Sequence, residues 1–126
     1  MFIASMPNIY TRDIDAAAAF YRDQVGFVQT YRFPRDADAQ PEHVELRLGD
    51  SQIALSTYDA AAAAGVDPST GNSFELVLFC EDLDRAVARL RTAGARVAVE
   101  PYDHKAGHRC AYVVDPDGNW LGLGES

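Results

Sequence analysis

DIDAAAAFYR (residues 13–22) superposes on DLDRAVARLR (residues 82–91) at a shift of 69 residues, and this correspondence decides the fold. Asp13 matches Asp82, Asp15 matches Asp84, Ala17 and Ala19 match Ala86 and Ala88, and Arg22 matches Arg91. Each phrase opens on an aspartate, a residue suited to accept from the free N–H groups of a first helical turn. Each runs on to a glycine stop, Gly26 or Gly94. Between them, Ile14, Ala17, Ala18, Tyr21 and Val25 recur at helical spacing in the first phrase, and Leu83, Val87 and Leu90 in the second.

Outward from these helices the order of elements also repeats. Residues 2–10 read as a short strand interrupted by Pro7, residues 27–33 are rich in β-branched and aromatic residues, and PRDADAQP (34–41) reads as an exposed loop. In VELRLGDSQIALS, residues 44–48 and 51–56 alternate in polarity around Gly49-Asp50, a pair suited to a tight hairpin turn. Folding there sets Leu48 opposite Ser51 and Leu46 opposite Ile53. Leu46, Leu48, Ile53 and Leu55 then share an apolar face, and His43, Glu45, Arg47, Gln52, Ala54 and Ser56 share a mixed one. Residues 59–73 have a linker's composition, with a helical turn in the alanine run. Strands follow at 74–80, 96–100, 108–114 and 120–124, the last after the turn Asp115-Pro116-Asp117-Gly118-Asn119. A βαβββ unit of about 55 residues is too small to bury its own sheet, so two copies are expected to pair. The fold class is therefore α+β, two paired βαβββ modules in a single domain. Module one covers about residues 1–58, a linker about 59–72, and module two about 73–126.

Composition narrows the function. The chain has 126 residues and a formal net charge of −8, which argues against nucleic acid and anionic membrane surfaces as partners. The same charge suits a cationic ligand. Two cysteines make no disulfide scaffold and fit a reducing compartment. The start MFIASMPNIYTRD lacks a signal peptide's pattern, and no apolar run reaches membrane-spanning length, so a cytoplasmic protein is expected.

The helix phrase DIDAAAAFYRDQVGF, the segment ELVLFCEDLDRAV and the closing AGHRCAYVVDPDGNWLGLGE together resemble the vicinal oxygen chelate superfamily, which includes glyoxalase I, extradiol dioxygenases, and fosfomycin- and bleomycin-resistance proteins. The resemblance implies the glyoxalase/bleomycin resistance/dihydroxybiphenyl dioxygenase-like fold over the whole chain. Metal-dependent members place ligands at positions that fall here on Met6, Ala54, Glu75 and Gly122. The repeat supports this placement, because 6 and 75 differ by 69 and 54 and 122 by 68. Hard divalent cations need oxygen or imidazole donors, and this set offers one carboxylate. No metal and no cofactor are expected. His104 and His108 are four apart, but DHKAGHR reads as a loop rather than a helix, so these two and His43 are read as exposed histidines, with an atypical metal site among the three left open. Cys80 and Cys110 read as ordinary buried thiols, and Asp115 and Asp117 as turn residues.

Alternation puts Glu75, Val77 and Phe79 on the inner side of their strand, with Leu76, Leu78 and Cys80 towards the helix. Trp120 and Gly122 share the inner face of the last strand, Met6, Asn8 and Tyr10 that of the first, and Tyr112 joins this lining. Glu75, Glu45, Arg47, Gln52, Asn8, Ser56 and His43 are its polar points, while Ala54 and Gly122 leave open volume. An apolar concavity with a few placed polar groups suits a small molecule. Glu75 needs Arg47, solvent or a ligand as partner.

The motifs Pro7 before Thr11-Arg12-Asp13, Gly49-Asp50, Asn72-Ser73 and AGHR…DPDGN…GE resemble the bleomycin-resistance-type binding proteins most closely. That resemblance implies a metal-free, homodimeric small-molecule binding protein that sequesters a cationic or aromatic compound, with antibiotic resistance as its use. It also implies that Pro7 accompanies exchange of the first strand between subunits. The alternative is a metal-independent lyase or isomerase of secondary metabolism with Glu75 as general base and Tyr10 or His43 assisting. A divalent-metal lyase or dioxygenase ranks last, and the reading leans away from catalysis.

Overall fold

The computed structural model describes residues 1, 4–64, 66–68, 75–104 and 107–125. Two compact units divide the chain, Met1–Ser69 and Thr70–Ser126, and each repeats the same plan. The first runs β1 (Asn8–Thr11), α1 (Ile14–Ala19, continued by a π-helical stretch Phe20–Val25), β2 (Val28–Phe33), β3 (His43–Leu48), β4 (Ser51–Thr57) and α2 (Tyr58–Ala63). The second runs β5 (Leu76–Cys80), α3 (Leu83–Thr92), β6 (Arg96–Asp103), β7 (Arg109–Val114) and β8 (Trp120–Glu125). The sheets have the orders β1-β4-β3-β2 and β5-β8-β7-β6, with the first pair of each parallel and the others antiparallel.

The aspartates do what the repeated phrase predicts. Asp13 is extended (φ −141°, ψ 94°) and accepts from the Ala16 N–H at 3.1 Å. Asp82 has nearly the same backbone (φ −137°, ψ 101°) and accepts from the Arg85 N–H at 3.0 Å. Gly26 and Gly94 close the helices at φ 107° and 97°, a region that costs a residue with a Cβ. The first helix widens before its stop, and the Gly26 N–H bonds the Tyr21 carbonyl at 3.0 Å. Phe20, Tyr21 and Phe27 pack there edge to face, with centroids 5.1 and 6.0 Å apart.

The hairpin register is the expected one: Leu48 faces Ser51 and Leu46 faces Ile53. Val44, Leu46, Ile53 and Leu55 are buried on the helix side of sheet 1 with Ile14, Ala17 and Ala18. Each large aliphatic side chain so buried contributes about 1.5–3 kcal/mol. Leu48, beside the turn of the hairpin, is 37% exposed. In the second unit Leu83, Val87 and Leu90 of α3 are buried, as are Ala111, Val113, Leu121 and Leu123 of the strands. The Glu125 carboxylate, at the end of β8, accepts from the Leu83 N–H at 2.8 Å and ties that strand to the start of α3.

Three expectations are corrected. The first strand begins at Asn8, because Pro7 has no N–H to extend the ladder; its carbonyl instead accepts from Ala54 at 2.8 Å. Met6 therefore precedes the strand, and residues 2 and 3 lie outside the described residues. β5 begins at Leu76, leaving Glu75 just outside it, and Phe74, Asn72 and Ser73 are not among the described residues. β6 continues past Glu100 to Asp103, and irregular register on either side of Val99 accommodates Pro101.

Replacing Asp13 or Asp82 by alanine should cost about 1 kcal/mol each. Urea unfolding followed by far-ultraviolet circular dichroism checks this, and Asp15→Ala, on the exposed helix surface, should cost less than either.

Candidate functional site

Each sheet turns one face to its helix, and the opposite face carries the polar and aromatic groups. On sheet 1 that face is fixed by the partners Asn8↔Ala54, Tyr10↔Ser56, His43↔Ser56, Glu45↔Ala54 and Arg47↔Gln52. Its polar side chains form one chain of contacts across three strands. Ser56 Oγ donates to Asn8 Oδ1 at 2.9 Å and lies 2.8 Å from His43 Nδ1. His43 Nε2 lies 2.9 Å from Glu45 Oε2, and Gln52 Nε2 donates to Glu45 Oε1 at 3.3 Å. His43 is thus not the exposed histidine expected from sequence: both ring nitrogens are engaged, since strand alternation places it beside Ser56 and on the same side as Glu45. Tyr31 sets its ring 6.3 Å from that of His43, and the Arg35 guanidinium lies 5.9 Å above Tyr31. Tyr10 pairs with Tyr58, over which Arg12 is stacked at 4.7 Å. Arg47 is exposed, and Met6 is half-buried beyond the strand end.

Sheet 2 has a different character. Val77 and Phe79 of β5 lie beside Gly122 and Gly124 of β8, and Tyr112 and Cys110 of β7 flank the same glycines from the other side. The glycines form a low floor over which neighbouring side chains bend. A Cβ at Gly122 would stand 3.2 Å from Glu75 Oε1, and one at Gly124 would stand 3.3 Å from the Phe79 ring. So although Glu75 precedes the strand, its carboxylate lies across Gly122. Tyr112 and Trp120 set their rings 5.9 Å apart at 48° on this face. Loss of solvation pushes the Tyr112 phenol up, and the Glu75 charge, the Cys110 charge and a hydrogen bond to Glu75 push it the same way. Tyr102 is pushed up to about 12, chiefly by a hydrogen bond with Cys110 and by lost solvation, with smaller contributions from the charges of Cys110, Tyr112 and Glu75. The Glu75 carboxylate and the Tyr112 phenol thus share this face above Gly122. Phe79 is 75% exposed, a large apolar side chain left at the surface.

The cysteines are free and half-buried. Burial, and then the charges of Glu125 and Asp82, push the Cys80 thiol up, which makes it a poor nucleophile. Asp115 serves the turn, accepting from the Asp117 and Asn119 N–H groups at 2.9 and 2.8 Å. The His104 and His108 rings stack at 4.8 Å, closed by a backbone bond from His104 N–H to the His108 carbonyl at 2.7 Å.

The metal positions implied by the family resemblance can be tested one sheet at a time. On sheet 1, Ala54 is fully buried without a side-chain donor, and Met6 offers a thioether. On sheet 2, Glu75 supplies one carboxylate while Gly122 supplies nothing but the space that the carboxylate lies over. Among the described residues no group of three or more His, Cys, Asp or Glu side chains could hold an ion. The donor set does not fit a divalent metal.

One arginine escaped the sequence reading. Arg32 of β2 reaches over the loop that follows it, donating to the Ala37 carbonyl at 3.5 Å and to the Ala39 carbonyl. With Asp15, Arg22 and Gln40 it lines a groove on the helix side of sheet 1. Its signal in the sequence was a single charge in this strand, set between the aromatic residues Tyr31 and Phe33.

The family model described as the Glyoxalase/Bleomycin resistance protein/Dioxygenase superfamily matches residues 3–123. No curated protein matches the sequence. Among solved structures, a glyoxalase/bleomycin resistance protein/dioxygenase family enzyme from Burkholderia phytofirmans PsJN is similar, with a TM-score of 0.80 and 26% identity over 96% of each chain. A member of the same superfamily from Sphaerobacter thermophilus DSM 20745 has a TM-score of 0.77 and 25% identity over 98% of each chain. Lactoylglutathione lyase from Agrobacterium tumefaciens shares the fold, with a TM-score of 0.73 and 22% identity over 98% of this chain and 93% of the other.

Because the Glu75 charge helps to keep the Tyr112 phenol protonated, Glu75→Gln should move the Tyr112 titration down in pH. The ring-carbon signals of labelled tyrosine across an alkaline titration check this, with Tyr112→Phe identifying the resonance.

Proposed function

The chain belongs to the Glyoxalase/Bleomycin resistance protein/Dioxygenase superfamily, and on that footing we propose that it is a small-molecule binding protein of the glyoxalase/bleomycin-resistance type, holding a cationic, ring-containing compound without a metal ion. The observation that carries this reading is the Glu75 carboxylate lying across Gly122, on the sheet face that also bears Tyr112 and Trp120. Ring faces attract a cation through their quadrupole, and a neighbouring carboxylate adds a direct charge partner. The exposed Phe79 and Val77 extend the same face with apolar surface for a ring system. A net charge of −8 raises the local concentration of cations around the molecule. Sequestering a toxic compound of this class would confer resistance to it.

A second reading is favoured by Tyr112, a phenol held in its protonated form beside Glu75. Such a pair suits a metal-independent lyase or isomerase with Glu75 as general base. The two readings part at one substitution: Glu75→Gln weakens binding under the first, and abolishes turnover while sparing binding under the second. Homodimerisation belongs to the proposal, with exchange of the first strand at Pro7 as the form the family resemblance implies. Light scattering should give twice the chain mass.

Trp120 is the single tryptophan, so its emission reports on this face. A cationic acridine dye should quench it with a dissociation constant below about 1 µM, and Glu75→Gln should weaken binding about tenfold, or ~1.4 kcal/mol. Equal binding of a neutral ring system of the same shape would overturn the assignment of charge recognition to Glu75.

A further inference from the structure

On sheet 1 a second carboxylate is already paired, and its partner is a titratable one. Glu45 Oε2 stands 2.9 Å from His43 Nε2, with the two side chains 26% and 27% exposed. The protons along this chain can be counted. The Ser56 hydroxyl spends its one proton on Asn8 Oδ1, so towards His43 it can only accept, and His43 Nδ1 carries hydrogen. An ionised Glu45 then takes a second hydrogen from Nε2, and every partner is satisfied by an imidazolium. The other Glu45 oxygen receives only a long bond, 3.3 Å, from Gln52. Among the described residues no arginine pairs with Glu45.

We propose that Glu45 is the seat of a compact organic cation, an amine, amidine or guanidine, and that His43 is its exchangeable counter-ion. The incoming N–H⁺ takes the carboxylate, and the His43 Nε2 proton leaves to water. The ring stays neutral, with its Nδ1–H still donating to Ser56. One positive charge enters and one leaves, so the half-buried site never carries an uncompensated charge, which such surroundings penalise. This deepens the reading of the protein as a binder of cations and rests on it, but uses residues of sheet 1 alone. Because binding releases a proton, affinity rises with pH through the range in which an imidazole loses its charge. The other groups facing His43 are few: Ser56 and Asn8 are neutral, Tyr31 sets its ring 6.3 Å from the imidazole, and the Arg35 guanidinium stacks on Tyr31 at 5.9 Å. Arg47 lies further along β3, opposite Gln52.

Benzamidine, an aromatic amidinium, serves as the probe, with the ring signals of His43 in the nuclear magnetic resonance spectrum (identified by loss in His43→Gln) and Trp120 emission read in parallel. At a pH of about 5.5, where an ordinary imidazole is mostly charged and an ordinary carboxyl mostly ionised, benzamidine should drive the His43 signals to the neutral form. Calorimetry in two buffers of different ionisation heat should show proton release approaching one per ligand. Glu45→Gln should abolish the His43 response, whereas His43→Gln should still bind but release no proton. A change at Trp120 with His43 unmoved would overturn the exchange and leave the sheet 2 reading standing. A response at His43 with Trp120 silent would support the exchange and count against that reading, and silence at both would overturn both.

Discussion

The parallel pairing of each unit's first strand with its last is the constraint on which the rest of the structure depends. Asn8 lies beside Ala54 in one unit and Val77 beside Gly122 in the other, positions that the 69- and 68-residue repeats bring into correspondence. Side chains on a strand alternate with period two, so a slip of a single residue would turn every group on the mixed face towards the helix. Ser56 would lose His43 and Asn8, and Gly122 would no longer lie beneath Glu75. Two features hold the register. The hairpin at Gly49-Asp50 fixes β4 against β3, and the capped helix returns the chain to β2 with its apolar side on the sheet.

On that shared plan the two units carry different chemistry. Sheet 1 presents hydrogen-bonding groups linked from Asn8 to Gln52 through Ser56, His43 and Glu45. Sheet 2 presents rings and one carboxylate over a glycine floor. Corresponding positions explain part of the divergence. Asn8 is polar where Val77 is apolar, and Ser56 has a hydroxyl where Gly124 has none. A hydroxyl at 56 reaches across to its neighbours, whereas a bare backbone at 124 lets the Phe79 ring settle over it. Local polarity therefore changed without disturbing the ladder, because backbone hydrogen bonding sets strand pairing and is indifferent to these side chains.

The elements governed by short-range rules were legible in the sequence. Capping aspartates, glycine stops, the tight hairpin and its alternation all act within a few residues, and the repeat showed which elements belong together. The sharing of a sheet face by His43, Glu45 and Ser56 was legible for the same reason. What was hidden depends on contacts that residue spacing does not encode. The link from Ser56 to Asn8 spans 48 residues, and its direction leaves the hydroxyl oxygen to accept from His43 Nδ1. The widened end of the first helix follows from seating Phe20 and Tyr21 in succession, a packing effect that a 3.6-residue period cannot express. Pro7 was read correctly as an interruption, but its consequence for Met6 needed the observed start of the ladder.

Gly122 links the fold to the site. In chemistry alone it is a missing donor at a place where the family resemblance puts a metal ligand. In space it is also what allows Glu75 to lie across the sheet, since even one added carbon would approach the carboxylate to 3.2 Å. The absent donor and the placed carboxylate are thus one arrangement, because any side chain at 122 would crowd Glu75 from its Cβ outward and require the carboxylate to give way. The same crowding operates at Gly124, where a Cβ would stand 3.3 Å from the Phe79 ring. A sheet that had merely lost an ion would be left with an unlined gap. This one has its floor lowered where neighbouring side chains cross it, which is the geometry that the proposed binding of a ligand on this face requires.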